Sequence, residues 1–208
     1  MLHTEALLAG TLPILERLMR IEALDQFALV GGTALALRYG HRVSVDLDLF
    51  SAELDHERLV GVMRAEFGTA FRYEPPAQRS IGIFCYVEEV KVDMVRYPHP
   101  RIADIVTVDG VRMYADDDIA AMKIQAILGR GRKKDFWDLA ELLEHYDLDR
   151  IINWHSMKYP NQMLAISIPN ALVYFNDAEE SEEPAALRRW TWSEVKHIVR
   201  DAVDRHLR

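Results

Sequence analysis

Apolar positions change their period along this chain, and the changes divide it. In residues 4–22 they recur at helical spacing, predicting a helix that Pro13 can break by removing one hydrogen bond. Residues 27–30, FALV, read as a short buried strand, and residues 33–40 as a helix closed by Gly40. Residues 43–50, VSVDLDLF, alternate: Val43, Val45, Leu47 and Leu49 fall on one face, and Ser44, Asp46 and Asp48 on the other. Asp55 is placed to cap a helix running to about Phe67. Two alternating runs follow, 80–87 and 90–97, joined at Glu88-Glu89 as a hairpin. Residues 105–114 hold Asp109-Gly110 between two β-rich runs, a second hairpin signal. Beyond that the pattern is helical: from Asp116 to Gly129, over 134–146, near 161–175 and over 193–207, with an acidic loop at 176–184.

The order predicts an α/β (α+β) mixed sheet with flanking helices, residues 1–115, followed by an all-α lobe, residues 116–208. With 208 residues, half of them apolar, the chain can fill one core or two small lobes. It has no apolar run long enough to span a bilayer. The N-terminus carries Glu5 and Glu16 and lacks a basic start and a cleavage site, and Cys85 is the lone cysteine, so a cytoplasmic location is expected. Cys85 itself alternates with Ile81, Ile83 and Val87 and reads as a buried small hydrophobe. A net charge of −8 argues against a broad nucleic-acid-coating surface and leaves room for a local one, GRGRKK at 129–134. The histidines show no zinc-ligand spacing.

The chemistry lies in residues 30–51, VGGTALALRYGHRVSVDLDLFS. A strand, two glycines and a helix start make an anion cradle: Gly31 and Gly32 let backbone N–H groups approach a phosphate, and the helix dipole favours negative charge. Thr33 can cap that helix or offer its hydroxyl. Asp46 and Asp48 share a strand face, and Asp93, in VKVDMV, joins them if the two strands are neighbours. Each alone reads as readily as a residue on an exposed sheet face. Together they repel unless a cation lies between them, and Mg²⁺ prefers such oxygen ligands. Lys123 interrupts an apolar helical stripe between Ile119 and Ile127, so it either snorkels outward or reaches an anion. Asp135 and Asp138 share a helix face, where pairing with Arg132 or Lys134 is the plain alternative to a functional role.

These residues resemble the AbiEii/AbiGii nucleotidyltransferase toxins, a branch of the DNA polymerase β-like nucleotidyltransferase superfamily. Gly31, Gly32, Asp46, Asp48 and Asp93 match its Gly-Gly, helix, paired-acid and later-acid positions, with Gly-Gly where many members have Gly-Ser. Arg42 and Ser44 in HRVSVDLDLF, and Lys123, Lys134, Asp135 and Asp138 in the helical half, sit as they do in these toxins. The resemblance implies a nucleotidyltransferase-like fold and transfer of a nucleotide from an NTP to an acceptor hydroxyl. Mg²⁺, or Mn²⁺ in its place, would be held by Asp46, Asp48 and Asp93. The NTP would lie on Gly31, Gly32, Thr33, Arg42, Ser44, Lys123, Lys134 and Asp138, with Asp135 as a base or as orienter of Lys123. It also implies a toxin–antitoxin or phage-defence role, an antitoxin partner, and an RNA acceptor such as tRNA. GRGRKK, Arg38, Arg42 and Arg96 are candidate phosphate contacts for that RNA.

Two other readings are open. DLDLF also resembles the Asp-x-Asp motif of haloacid-dehalogenase-like phosphatases, and the fold could serve a non-catalytic nucleotide-binding partner protein. His41 and His99 are weaker substrate candidates, and Trp190 and Trp192, beside a helix start, read as core or as a staple.

Overall fold

The computed structural model describes every residue of the chain except Arg79 and Arg189. Its sheet grows from the hairpins. β4 (Gly82–Val87) and β5 (Val90–Arg96) pair through a two-residue turn in which Glu88 takes φ 55°. β6 (Val106–Val108) and β7 (Val111–Met113) pair through Asp109 and Gly110, both at positive φ, the turn that suits the right-handed twist of a hairpin. β3 (Phe71–Tyr73) adds to the outside of β4, a short strand the pattern did not announce. The remaining two are β1 (Ala28–Leu29) and β2 (Leu47–Ser51). Among the described residues the order is β3-β4-β5-β2-β1-β7-β6. β2 runs parallel to β5 and antiparallel to β1, so the sheet is mixed, as expected. The β2–β5 register sets Asp48 directly beside Asp93, so the two strands are neighbours as the carboxylate argument required.

Helices flank the sheet: α1 (Thr11–Met19), α2 (Gly31–Tyr39) and α3 (His56–Phe67), the last capped by Asp55, whose carboxylate accepts the Arg58 N–H at 3.1 Å. After β7 come α4 (Asp116–Gly129), α5 (Lys133–Leu143), α6 (Leu148–Lys158), α7 (Ile168–Leu172), α8 (Asn176–Glu179) and α9 (Trp192–His206). α4 is buried on most of its surface, through Ile119, Ala120, Ala121, Ile124 and Ile127, and packs against α2, α5, α6 and α7. Trp192 stacks on Trp137 with ring centroids 5.6 Å apart, and Trp190 also packs on the core. Cys85 is buried, whereas Ile81 is exposed.

Four local expectations change. The helix over 4–22 is instead a 3₁₀ turn at Thr4–Ala6 followed by α1, because Leu7 leaves to bridge Ser44 and Gly10 turns the chain at φ 88°. Pro13 then falls in the first turn of α1, where its missing N–H costs nothing. The strand over 43–50 starts only at Leu47; Val43 is half-buried and Val45 lies 45% exposed. Hydrogen bonds of Val43 to Ala185 and of Ser44 to Ala6 direct the chain there, with Ser44 turned inward. The helix near 161–175 is confined to α7, and α6 went unread although Asp147 caps it and Leu148, Ile151 and Trp154 hold helical spacing. The acidic loop contains the short helix α8. Among the described residues no helix is long and apolar enough to cross a membrane.

One buried ion pair ties α4 to α6. Lys158, fully buried, donates to Asp118 and to the Pro100 carbonyl at 3.0 Å, while Asp118 accepts the N–H groups of Ile102 and Ala103. Asp118→Ala would strand that ammonium, at a cost of about 3–5 kcal/mol. Urea unfolding should show the loss; an unchanged midpoint would mean that Lys158 finds water instead.

Candidate active site

α2 begins where β1 ends, with Val30 extended at its N-cap and its N–H bonded to the Asp48 carbonyl at 2.9 Å. Gly31 takes φ 69°, and a Cβ there would stand 3.4 Å from Asp48 Oδ2, so the turn that starts the helix also brings backbone close to the carboxylate. Gly32 is required for another reason. A Cβ at this position would collide with Nη2 of Arg42 and lie 3.0 Å from Asp138 Oδ2. The guanidinium of Arg42 therefore occupies the space into which a serine side chain would project.

Thr33 is inside the helix, not its cap. Its hydroxyl donates to the Asp46 carbonyl, so the Ser44 hydroxyl, 2.8 Å away, donates to Thr33. Both hydroxyls thus hold the loop that delivers Asp46 to the cleft. That cleft has a volume of about 250 Å³ and is lined by Gly31, Gly32, Thr33, Arg42, Ser44, Asp46 and Asp48 on the sheet side. Lys123, Arg130 and Lys134 line it from α4 and the start of α5. Phe50, Met122 and Ala126 complete it. Sequence reasoning passed over these three, although Phe50 continues the face of Asp48, and Met122 and Ala126 flank Lys123 at one-residue and three-residue spacing.

Asp93 lies just behind this lining. Its Oδ2 is bonded to Lys91, a same-face neighbour whose significance the sequence reading missed, and its Oδ1 is buried with no partner among the described residues. Burial, and then the charges of Asp93 and Asp46, push the Asp48 carboxyl above its ordinary pKa against Lys91 and Lys123. Among the described residues, no three Asp, Glu, His or Cys side chains converge as a ready-made ligand set. The donor chemistry nonetheless suits a hard divalent cation: two carboxylates on adjacent strands, one with an oxygen unpartnered among the described residues and one raised by burial and by its like-charged neighbours.

Behind the cleft lies a buried charge network. Asp138, without exposed surface, accepts from Arg42 Nε at 2.7 Å and Nη2 at 2.9 Å, meets His41 Nε2 at 2.7 Å and Lys123 Nζ at 2.6 Å. Lys123 also donates to Asp135 at 3.1 Å, and Arg130 closes on Asp135 at 3.3 Å. Burial would raise the Asp138 carboxyl, but Arg42 and Lys123 outweigh it and hold it well below the ordinary range. Burial works equally against the Lys123 ammonium, and Asp138 and Asp135 more than offset it. His41, a substrate candidate in the sequence, is enclosed here instead.

Other expected cations lie elsewhere. Arg38 pairs with Asp116, and Arg96 lines a separate cavity with His56 and Tyr73. Arg130, Arg132 and Lys134 line a neighbouring cavity with Asp177, Glu180 and Glu182, and of GRGRKK Arg130 and Lys134 also line the cleft.

Comparison with known proteins places the chain among relatives of shared sequence and fold. The family described as Nucleotidyl transferase AbiEii toxin, Type IV TA system, matches residues 13–159. An uncharacterized protein of Aquifex aeolicus, aq_aa25, is 31% identical over 93% of this chain and 94% of its own. Among solved structures, JHP933 from Helicobacter pylori shares the fold at a TM-score of 0.57 and 17% identity, over 93% of this chain and 87% of its own. MenT4, the nucleotidyltransferase toxin Rv2826c from Mycobacterium tuberculosis, does so at a TM-score of 0.57 and 15% identity, over 90% of this chain and 80% of its own.

The Gly32–Arg42 contact is testable by a double-mutant cycle. Gly32→Ser should cost about 1–3 kcal/mol by overpacking. In an Arg42→Ala background the same change should cost much less, because the colliding guanidinium is gone. Additive losses in urea unfolding would show that the two positions do not compete for space.

Proposed function

The chain belongs to the AbiEii nucleotidyl transferase toxin family of type IV toxin–antitoxin systems, and from that membership we propose a magnesium-dependent transfer of a nucleotide from an NTP to an RNA hydroxyl. Membership makes it a nucleotidyltransferase with a nucleotide substrate and an antitoxin partner. It also sets aside the phosphatase alternative, which the mixed sheet does not favour either. The observation that carries the finer reading is the register of Asp48 beside Asp93, opening on the Gly31 turn and facing Lys123.

In this reading residues 1–115 form the catalytic lobe, and residues 116–208 are the helical lobe that brings Lys123 and its acids to the cleft. The triphosphate rests on the first turn of α2, whose N–H groups lack intrahelical partners, and against Lys123, Arg130 and Lys134. Arg42 supplies the charge at the place of the absent serine. Asp135 and Asp138 do not line the cleft; they position Lys123 and Arg42. An acceptor hydroxyl oxygen bonds to the α-phosphorus while the bond from that phosphorus to the bridging oxygen breaks, and pyrophosphate leaves. The hydroxyl proton would pass to the carboxylates that line the cleft, Asp46 and Asp48. A magnesium ion, or manganese, held by Asp46, Asp48 and Asp93 would supply neutralising charge for the attacking and leaving oxygens.

RNA such as tRNA is the proposed acceptor because the cleft's rim carries Arg130 and Lys134 on a chain of net charge −8, which confines contact with a polyanion to this edge. The lone, buried Cys85 suits a reducing cytoplasm.

Incubation with each α-labelled NTP, Mg²⁺ and total RNA tests the proposal. One NTP should label the RNA; EDTA should abolish labelling, and Asp48→Asn should lower its rate about a hundredfold or more. Nucleotide binding with no incorporation into any acceptor would instead favour a non-catalytic nucleotide-binding protein.

A further inference from the structure

A second cavity adjoins the catalytic cleft. It has a volume of about 610 Å³ and lies between the end of β5 and α6, lined among others by Tyr97, His99, Gln125, Lys158, Tyr159 and Gln162. The two spaces share an aromatic wall. Phe50, which lines the cleft, packs on Tyr97 with ring centroids 4.9 Å apart. Tyr97 meets His99 at 4.9 Å, and His99 meets Tyr159 at 4.8 Å. The hydroxyls of Tyr97 and Tyr159 bond to each other, so the rings are fixed in place.

From this unbroken run of tilted and edge-on aromatic contacts we propose that the cavity is a nucleobase subsite, which takes one base by stacking while the phosphates of the same nucleotide or strand lie in the cleft. Its chemistry suits a flat heterocycle better than a phosphate. Lys158 is already committed to Asp118 and the Pro100 carbonyl. Desolvation and the charge of Lys158 hold His99 below its ordinary pKa, which leaves the ring neutral at pH 7. Side-chain amides complete the lining. Gln125 Oε1 is bonded to His155 Nε2 at 3.0 Å, while its NH₂ group makes no hydrogen bond among the described residues. Asn161 and Gln162 are exposed at the rim. Aromatic faces for stacking with amides for the base edges are how unpaired bases are held. The base can come from the incoming NTP or from the single-stranded end of the acceptor; both present the same face and edges. The position of this subsite beside a transfer centre rests on the reading of the cleft given above.

The test uses 2-aminopurine, whose emission falls when it stacks. Two probes are titrated into the full-length protein without Mg²⁺: 2-aminopurine riboside triphosphate, and a short single-stranded RNA ending in 2-aminopurine. At least one should be quenched, and the one that is names the source of the base. His99→Ala should weaken that probe about fivefold or more, and Gln162→Ala should weaken it in the same direction. Both side chains are exposed, so each variant should keep the wild-type melting temperature. Asp48→Asn should lose RNA labelling and keep the quench. No quench with either probe, or a quench that both variants leave at full affinity, overturns the subsite. Loss of labelling in the wild type with a His99-dependent quench retained would overturn the transfer reading instead.

Discussion

Asp138 is the charge on which the site's architecture depends. A carboxylate without exposed surface is tolerable only because Arg42, His41 and Lys123 surround it, the first two from the loop after α2 and the third from α4. Removing one partner from such a set leaves an uncompensated buried charge, which costs far more than the set contributes over an apolar core. The helical half is therefore fastened to the sheet by an interaction that tolerates little displacement. The local chain obeys it: Gly32 has no Cβ because Arg42 needs the space, and the loop from His41 to Ser44 is pinned by Val43 to Ala185 and by Ser44 to Ala6.

That fastening also separates the charges of the cleft. Carboxylates gather on β2 and β5, where Asp48 is pushed toward protonation by burial and its neighbours. Cations gather opposite, on α4 and the start of α5, and Lys123 stays charged because Asp138 and Asp135 stand behind it. A triphosphate with a divalent cation is the kind of ligand that matches both walls at once, which is the basis of the functional proposal.

Much of this was legible in the sequence. The two hairpins were visible because Asp109-Gly110 and Glu88-Glu89 are local turn chemistry, and the Asp55 cap because it depends on three residues. The pairing of Asp48 with Asp93 could be stated as a condition, since alternation fixes a face but not strand order. What stayed hidden was tertiary. Nothing in HRVSV says that Ser44 turns inward to Thr33 and leaves Val45 in solvent, against the alternation. Phe50, Met122 and Ala126 look like ordinary apolar residues until α4 is laid across the strands. Asp138 differs from Asp135 only once Arg42, nearly a hundred residues earlier, is beside it. The family resemblance selected both aspartates without distinguishing their surroundings.

Asp138, which does not line the cleft, sets the cleft's charge by keeping Lys123 ionised. A double-mutant cycle of Lys123→Met and Asp138→Asn, read both by urea unfolding and by NTP affinity, tests it most directly. The coupling in stability should be about 1–3 kcal/mol. The NTP affinity of Asp138→Asn should fall about tenfold, with little further loss when Lys123→Met is added. Additive stabilities, together with wild-type NTP affinity in Asp138→Asn, would contradict it.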